Sequence, residues 1–469
     1  MRIKNYIIFN LIYIKLSFSY LIFPFKTRFS NIPNIDKNIT LLFRSLIDNH
    51  IFVELNLGNP KQKIEVFLRS NTPDFYISEK NKSDKRTGCP EPYIYDVGSD
   101  LSKFFDKLKS TSLNITKEGI NSYPEVDLIG NISYDNFHFI NDKKENINTK
   151  MKFILYKSTL GYMPGVMGLQ AILENDDKKY NFIDQLKSND VINTYYWMIN
   201  YTSDYEGNFI IGEQPHIFDS DNFQKDELSF SYPFLYDDFY NWGLPFNSIA
   251  FNGVNLRQFH DNTFDYELNY IKGGIELEQL LDKYYNEYIL NGTCFKENIK
   301  YPYPPNIFFY CKKNLYENNM KYFPSLKLFQ FEYNYTFELN YKDLFIEKND
   351  KIILLIFFDE MKFDWHFGKP FLRKYSFLMN QDTKIIGFYK HSNKEKKGEQ
   401  KKDNNDNNKT NWYSKLQIIL FIFLIIIAVI LLVISGIFIG IYLFKKKKSK
   451  KYIIEEEYDY TPKNDVENN

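Results

Sequence analysis

The sequence predicts an all-β body with a few short helices, carried on a single C-terminal membrane-spanning helix. Two observations carry the β reading and one carries the membrane reading. Between Ile51 and Tyr389 the apolar runs are short, as in IFVELNL, KIEVFL, YYWMINY, FIIG, KIILLIFF and SFLMN. They alternate with period two, favour aromatic and β-branched residues, and end at Gly, Pro, Asn or Asp, as half-buried strands do. From Leu416 to Phe444 the chain then runs without a charged residue. That exceeds the roughly 20 apolar residues a helix needs to cross a bilayer core.

The spanning helix carries its own flanking signals. Trp412 and Tyr413 precede it and Tyr442 lies at its end, where amphipathic rings favour the interface. Lys445 to Lys448 follow, then Lys450 and Lys451, a cluster that stays cytosolic by the positive-inside rule. At the other end, Arg2 and Lys4 precede the apolar stretch Tyr6 to Ile14, and Ser17 and Ser19 offer small residues for cleavage. This is the pattern of a secretory signal peptide, with an uncleaved anchor as the alternative because Phe18 to Phe23 stay largely apolar. The expected topology is single-pass, with an extracytoplasmic body and a cytosolic tail, in the secretory or endolysosomal route or at the cell surface.

Composition excludes several classes. Lys and Arg together number 59, as do Asp and Glu, so no net field favours nucleic acid. An apolar share of 44% and an aromatic share of 18% can fill a sizeable core. Three cysteines do not make a disulfide scaffold; Cys294 and Cys311, in one segment, are a plausible pair and leave Cys89 odd. Asn-X-Ser/Thr acceptors stand at Asn38, Asn81, Asn114, Asn131, Asn200, Asn291, Asn334 and Asn408. The helical pattern IELEQLLDKYYNEYIL, Ile275 to Leu290, puts Ile275, Leu280, Leu281, Tyr284, Tyr285 and Ile289 roughly on one face. His391 to Asn411 is polar throughout and reads as a flexible stalk. The six histidines show no metal-binding spacing, and neither a Gly-x-Ser-x-Gly nor a phosphate-binding loop occurs. No cofactor or metal is expected.

His50 to Ile77 resembles the opening of a pepsin-like aspartic protease, with the turn Gly58-Asn59-Pro60-Lys61-Gln62 between two strands. The resemblance continues in order. Lys109 to Thr116 fits the approach to the flap, Tyr123 to Gly130 the flap, and Gly165-Val-Met-Gly168-Leu169 the apolar-apolar-Gly element of the first active-site loop. Residues 196–213 resemble the strand pair closing the first lobe, and Trp242 to Gly253 the opening of the second. Trp365 to Tyr375, followed by Ile385 to Tyr389, resembles the family's terminal block. The resemblance implies a bilobal pepsin-like acid protease fold. The expected layout is a signal peptide (1–20), a leader or prosegment-like stretch (21–48), an N-terminal lobe (49–220) and a C-terminal lobe (221–390). A polar stalk (391–415), the transmembrane helix (416–444) and the cytosolic tail (445–469) follow.

That family works with two facing aspartates that share one proton and hold a water. Here the first turn aligns without gaps as Arg69-Ser70-Asn71, and an arginine cannot accept a proton. For the second turn the best fit is Asn269-Tyr270-Ile271, with Asn269 at the aspartate position and Ile271 where glycine is wanted, which implies a reshaped loop. Asp265 and Glu267 are the fallback carboxylates, with Asp74 a further one. Tyr123 has the spacing of the family's flap tyrosine, or is an ordinary hairpin aromatic. The first reading is therefore a pseudoprotease that binds a peptide or protein ligand in its cleft. The alternatives are an active endopeptidase with an atypical acid pair, and a surface adhesion or structural protein.

Overall fold

Alternation of apolar and polar residues builds the first hairpin. Strand β2 (His50–Leu57) and strand β3 (Gln62–Arg69) pair antiparallel from Phe52↔Phe67 to Leu57↔Gln62. The chain turns between them through Gly58, whose φ of +87° suits a residue without Cβ. In this computed structural model the described residues are 19–28, 43, 50–70, 72–80, 103–122, 128–156, 164–170, 181–232, 235–236, 239–240, 242–256, 262–299, 306–359 and 365–390.

The remaining strands of this half are β1 (Leu21–Arg28), β4 (Phe75–Ser78), β5 (Asn114–Ser122), β6 (Leu128–Ile140), β7 (Asn146–Tyr156) and β8 (Gly165–Gly168). Then come β9 (Tyr196–Tyr201), β10 (Glu206–Ile211) and β11 (Leu228–Ser231). Among the described residues they form one 13-stranded sheet with two C-terminal strands, Phe377–Asn380 and Ile385–Tyr389. Its order is β11, Ile385–Tyr389, Phe377–Asn380, β9, β10, β1, β2, β3, β8, β4, β7, β6, β5. The stretch Leu21–Arg28, which the sequence assigns to a leader, is thus built into the sheet between β10 and β2.

The C-terminal half carries an eight-stranded sheet. In it Asn262–Phe264 runs parallel to Trp365–Phe367, and Ile271–Lys272 lies between Trp365–Phe367 and Ile356–Asp359. The expected helix spans Ile275–Leu290 and buries Leu277, Leu281 and Tyr285. Leu280, Tyr284 and Ile289 are only partly buried, while Leu277, outside the expected set, is fully buried. Cys294 and Cys311 face each other on adjacent antiparallel strands and form a disulfide. The mostly β architecture is as expected. No helix among the described residues is long and apolar enough to cross a membrane. The run Leu416 to Phe444, the polar stalk, the cytosolic tail and the signal peptide up to residue 18 lie outside the described residues.

Two buried contacts bind the halves. The Trp242 Nε1–H donates to the Leu169 carbonyl at 2.6 Å, and the Gln381 amide donates to the Gln170 carbonyl at 2.8 Å. The indole of Trp242 also meets that of Trp197 edge-on, with ring centroids 5.8 Å apart. Replacing Trp242 by Phe keeps most of the apolar area and leaves the Leu169 carbonyl without this donor. The expected cost is about 1–3 kcal/mol, read as a lower denaturant midpoint at unchanged slope.

Candidate active site

The site lies where each half makes the same crossing. In the first half β3 runs parallel to β8 with Leu68↔Met167 and Arg69↔Gly168 in register. In the second half Asn262–Phe264 runs parallel to Trp365–Phe367 with Phe264↔Phe367 in register, and the Asp265 amide bonds the Phe367 carbonyl. Met167 and Phe367 each precede a glycine. A Cβ on Gly168 would lie 2.3 Å from the Thr72 carbonyl oxygen, and one on Gly368 2.4 Å from that of Leu268. Thr72 is the third residue after Arg69 and Leu268 the third after Asp265. A loop carbonyl three residues on thus covers each glycine, and by register Asp265 corresponds to Arg69.

This placement departs from the sequence expectation. Asn269, the expected position, stands four residues beyond Asp265 and lines a cavity with Lys369 and Arg373. Ile271 is not in the turn but is a fully buried strand residue paired with Ile356 and Phe367. The fallback carboxylates are the ones brought to the site. Across the cleft the Arg69 Nε–H donates to both Glu267 oxygens, at 3.1 and 3.3 Å. The Glu267 amide donates to Asp265 Oδ1 at 2.9 Å, and the Ser70 hydroxyl bonds the Asp265 carboxyl from the other half. His50, at the start of β2, has its Nδ1 4.0 Å from Glu267 Oε2 and packs edge-on against Phe67.

Burial decides the protonation states. It pushes the Asp265 carboxyl up to about 7, and the negative charge of Glu267 adds to the rise. Hydrogen bonds from the Glu267 amide and Ser70, with the charge of Arg69, pull the other way and lose. Burial likewise lowers the His50 imidazole to about 4 against the pull of Glu267, so it is neutral near pH 7. Burial disfavours the Arg69 cation, but Glu267 and Tyr76 outweigh it and hold the guanidinium charged.

Tyr76 and His50 were not singled out as site residues from sequence, and Ser70 was named only as part of the first turn, because their roles come from contacts between distant segments. Asp74 sits in the loop folded over Gly168, where its carbonyl accepts the Gly168 amide at 2.9 Å. Tyr123 lies outside the described residues; the two arms of its hairpin, β5 and β6, are described and pair up to Ser122↔Leu128. Of the glycosylation acceptors, Asn114, Asn291 and Asn334 are exposed and Asn131 and Asn200 are half-buried. Asn38, Asn81 and Asn408 lie outside the described residues. Among the described residues no group of three His, Cys, Asp or Glu side chains could hold a metal ion.

A family model described as eukaryotic aspartyl protease matches residues 50–391, more than half of the chain. With this match and the paired crossings, the chain belongs to the eukaryotic aspartyl protease family. Searching curated proteins gives no match.

Two expectations follow for stability. Because the folded state raises the Asp265 carboxyl, its contribution is complete below about 3.8 and is lost as pH rises through about 7. His50 acts oppositely: its contribution is complete above 6.5 and is lost as pH falls through about 4. Replacing Asp265 by Asn should therefore make the protein progressively more stable, relative to the parent, from pH 4 to pH 7. Melting temperatures in a pH series check this, and parallel curves would refute it. Replacing Arg69 by Met strips Glu267 of its cation and should cost about 2 kcal/mol, between the values for exposed and buried pairs.

Proposed function

We propose that the chain is a membrane-anchored pseudoprotease whose ectodomain holds a peptide or protein ligand in its cleft without hydrolysing it. One observation carries the reading: by strand register Arg69 holds the position that corresponds to Asp265, and its guanidinium is bonded to Glu267. Aspartic catalysis requires two facing carboxylates that divide one proton between acid and base. Asp265 retains one of these roles, and Arg69 can take neither, since it has no acceptor atom and stays protonated.

Membership of a peptide-hydrolysing family supports peptide as the ligand class. So does the hairpin β5–β6, whose strands can add backbone hydrogen bonds to an extended chain. The apolar run Leu416 to Phe444 supports the anchor.

A second reading has an observation of its own. Asp265 and Glu267 stand in one loop and influence each other's charge, so they could form an atypical acid pair once Arg69 moves away. Cleavage of a denatured protein between pH 3 and 7 decides between the two. The pseudoprotease reading expects no cleavage by the parent, together with saturable binding of a peptide-mimicking transition-state inhibitor of aspartic proteases. Inhibitor-sensitive cleavage that disappears in Asp265→Asn and in Glu267→Gln establishes the active pair instead. Absence of both cleavage and binding leaves the surface-structural role.

A further inference from the structure

Apart from the cleft, a cavity of about 110 Å³ opens beneath the loop that carries Asp265. Its described lining contains three cations, Lys342, Lys369 and Arg373, against one carboxylate, Asp204. Asp204 forms an ion pair with Arg373. Phe345, Leu355 and Pro370 supply an apolar wall on the same cavity. Lys369 is half-buried, and its ammonium lies 5.1 Å from the centre of the Tyr205 ring. Burial brings its pKa down to about 8, with the charge of Lys348 adding to the fall.

We infer that this cavity binds a small organic carboxylate bearing a short apolar group. The cations select an anion, and an anion here relieves the crowding of positive charge around Lys369. The apolar side disfavours a fully hydrated anion such as phosphate, which could not desolvate against Phe345 and Leu355 without loss. A volume near 110 Å³ holds a chain of a few carbons, since a cavity of about 150 Å³ accommodates benzene. An occupant would also touch the active-site loop, because Asn269 lines the cavity and the Lys369 amide bonds the Leu268 carbonyl at 2.8 Å. The inference concerns a different surface from the cleft and does not depend on the pseudoprotease reading.

Butyrate, acetate and phosphate are the probes, titrated against the full chain in detergent micelles and followed by saturation-transfer NMR and calorimetry. Butyrate should bind saturably and more tightly than acetate or phosphate. Its affinity should hold below pH 8 and fall above it, as Lys369 loses its proton. Lys369→Met should weaken butyrate about tenfold, the loss of one charge-assisted contact, and Lys369→Arg should restore most of it. Lys342 is exposed, so Lys342→Gln tests the site without disturbing the core, and a weaker butyrate affinity is expected there too. Absence of saturable butyrate binding, equal affinity for phosphate, or affinity unchanged in both lysine variants would each overturn the assignment.

Discussion

The bond from Arg69 to Glu267 is the interaction around which the centre of this molecule is organised. It joins a residue at the end of a first-half strand to one in a second-half loop, so it fixes the facing of the two crossings. Its side chains are neither fully exposed nor fully enclosed, at 29% and 14% exposure, which places the bond between a weak surface pair and a costly buried one. Around it the other groups adjust. Burial holds the Asp265 carboxyl well above the ordinary carboxylate range and keeps His50 neutral near pH 7.

The demands of the fold and of the chemistry separate cleanly here. Gly168 and Gly368 are required by sterics alone, since a backbone oxygen passes within 2.4 Å of where each Cβ would lie. Those positions keep the family's architecture whether or not a reaction takes place. The loop tips are under no such constraint. Arg69, Asp265 and Glu267 can differ from a catalytic pair without disturbing the parallel registers Arg69↔Gly168 and Phe264↔Phe367 that carry them.

Much of the fold was legible in the chain because it rests on local pattern. Alternation located β2, β3 and β9 to within a residue or so, and the helix Ile275–Leu290 was bounded as the periodicity implies. Arg69 was legible because an unbroken strand leads into it. Asp265 was misjudged because its loop lacks the small residues that signal such a turn. Its position is set instead by Asn262–Phe264 pairing with Trp365–Phe367, a contact between segments far apart in sequence. The strand Leu21–Arg28 was not legible because it follows a signal-like stretch and its partners, β10 and β2, lie far along the chain. Pro24 pairs only with Asn208 on β10; the pairing to β2 begins at Phe25, so no second ladder needs its missing N–H.

The strand Phe377–Asn380 docks on β9 through Leu378↔Met198 and Met379↔Trp197, and Ile385–Tyr389 then covers it and receives β11. On the ribosome, β9 and β10 emerge long before those partners exist. For that interval one edge of β9 is an open template carrying Trp197, Met198 and Ile199, the kind of edge that recruits foreign strands. The last strands of the sheet therefore act as a closing stitch. A chain cut short before Phe377 keeps most of its core yet presents a raw, sticky margin that chaperones would meet as a client.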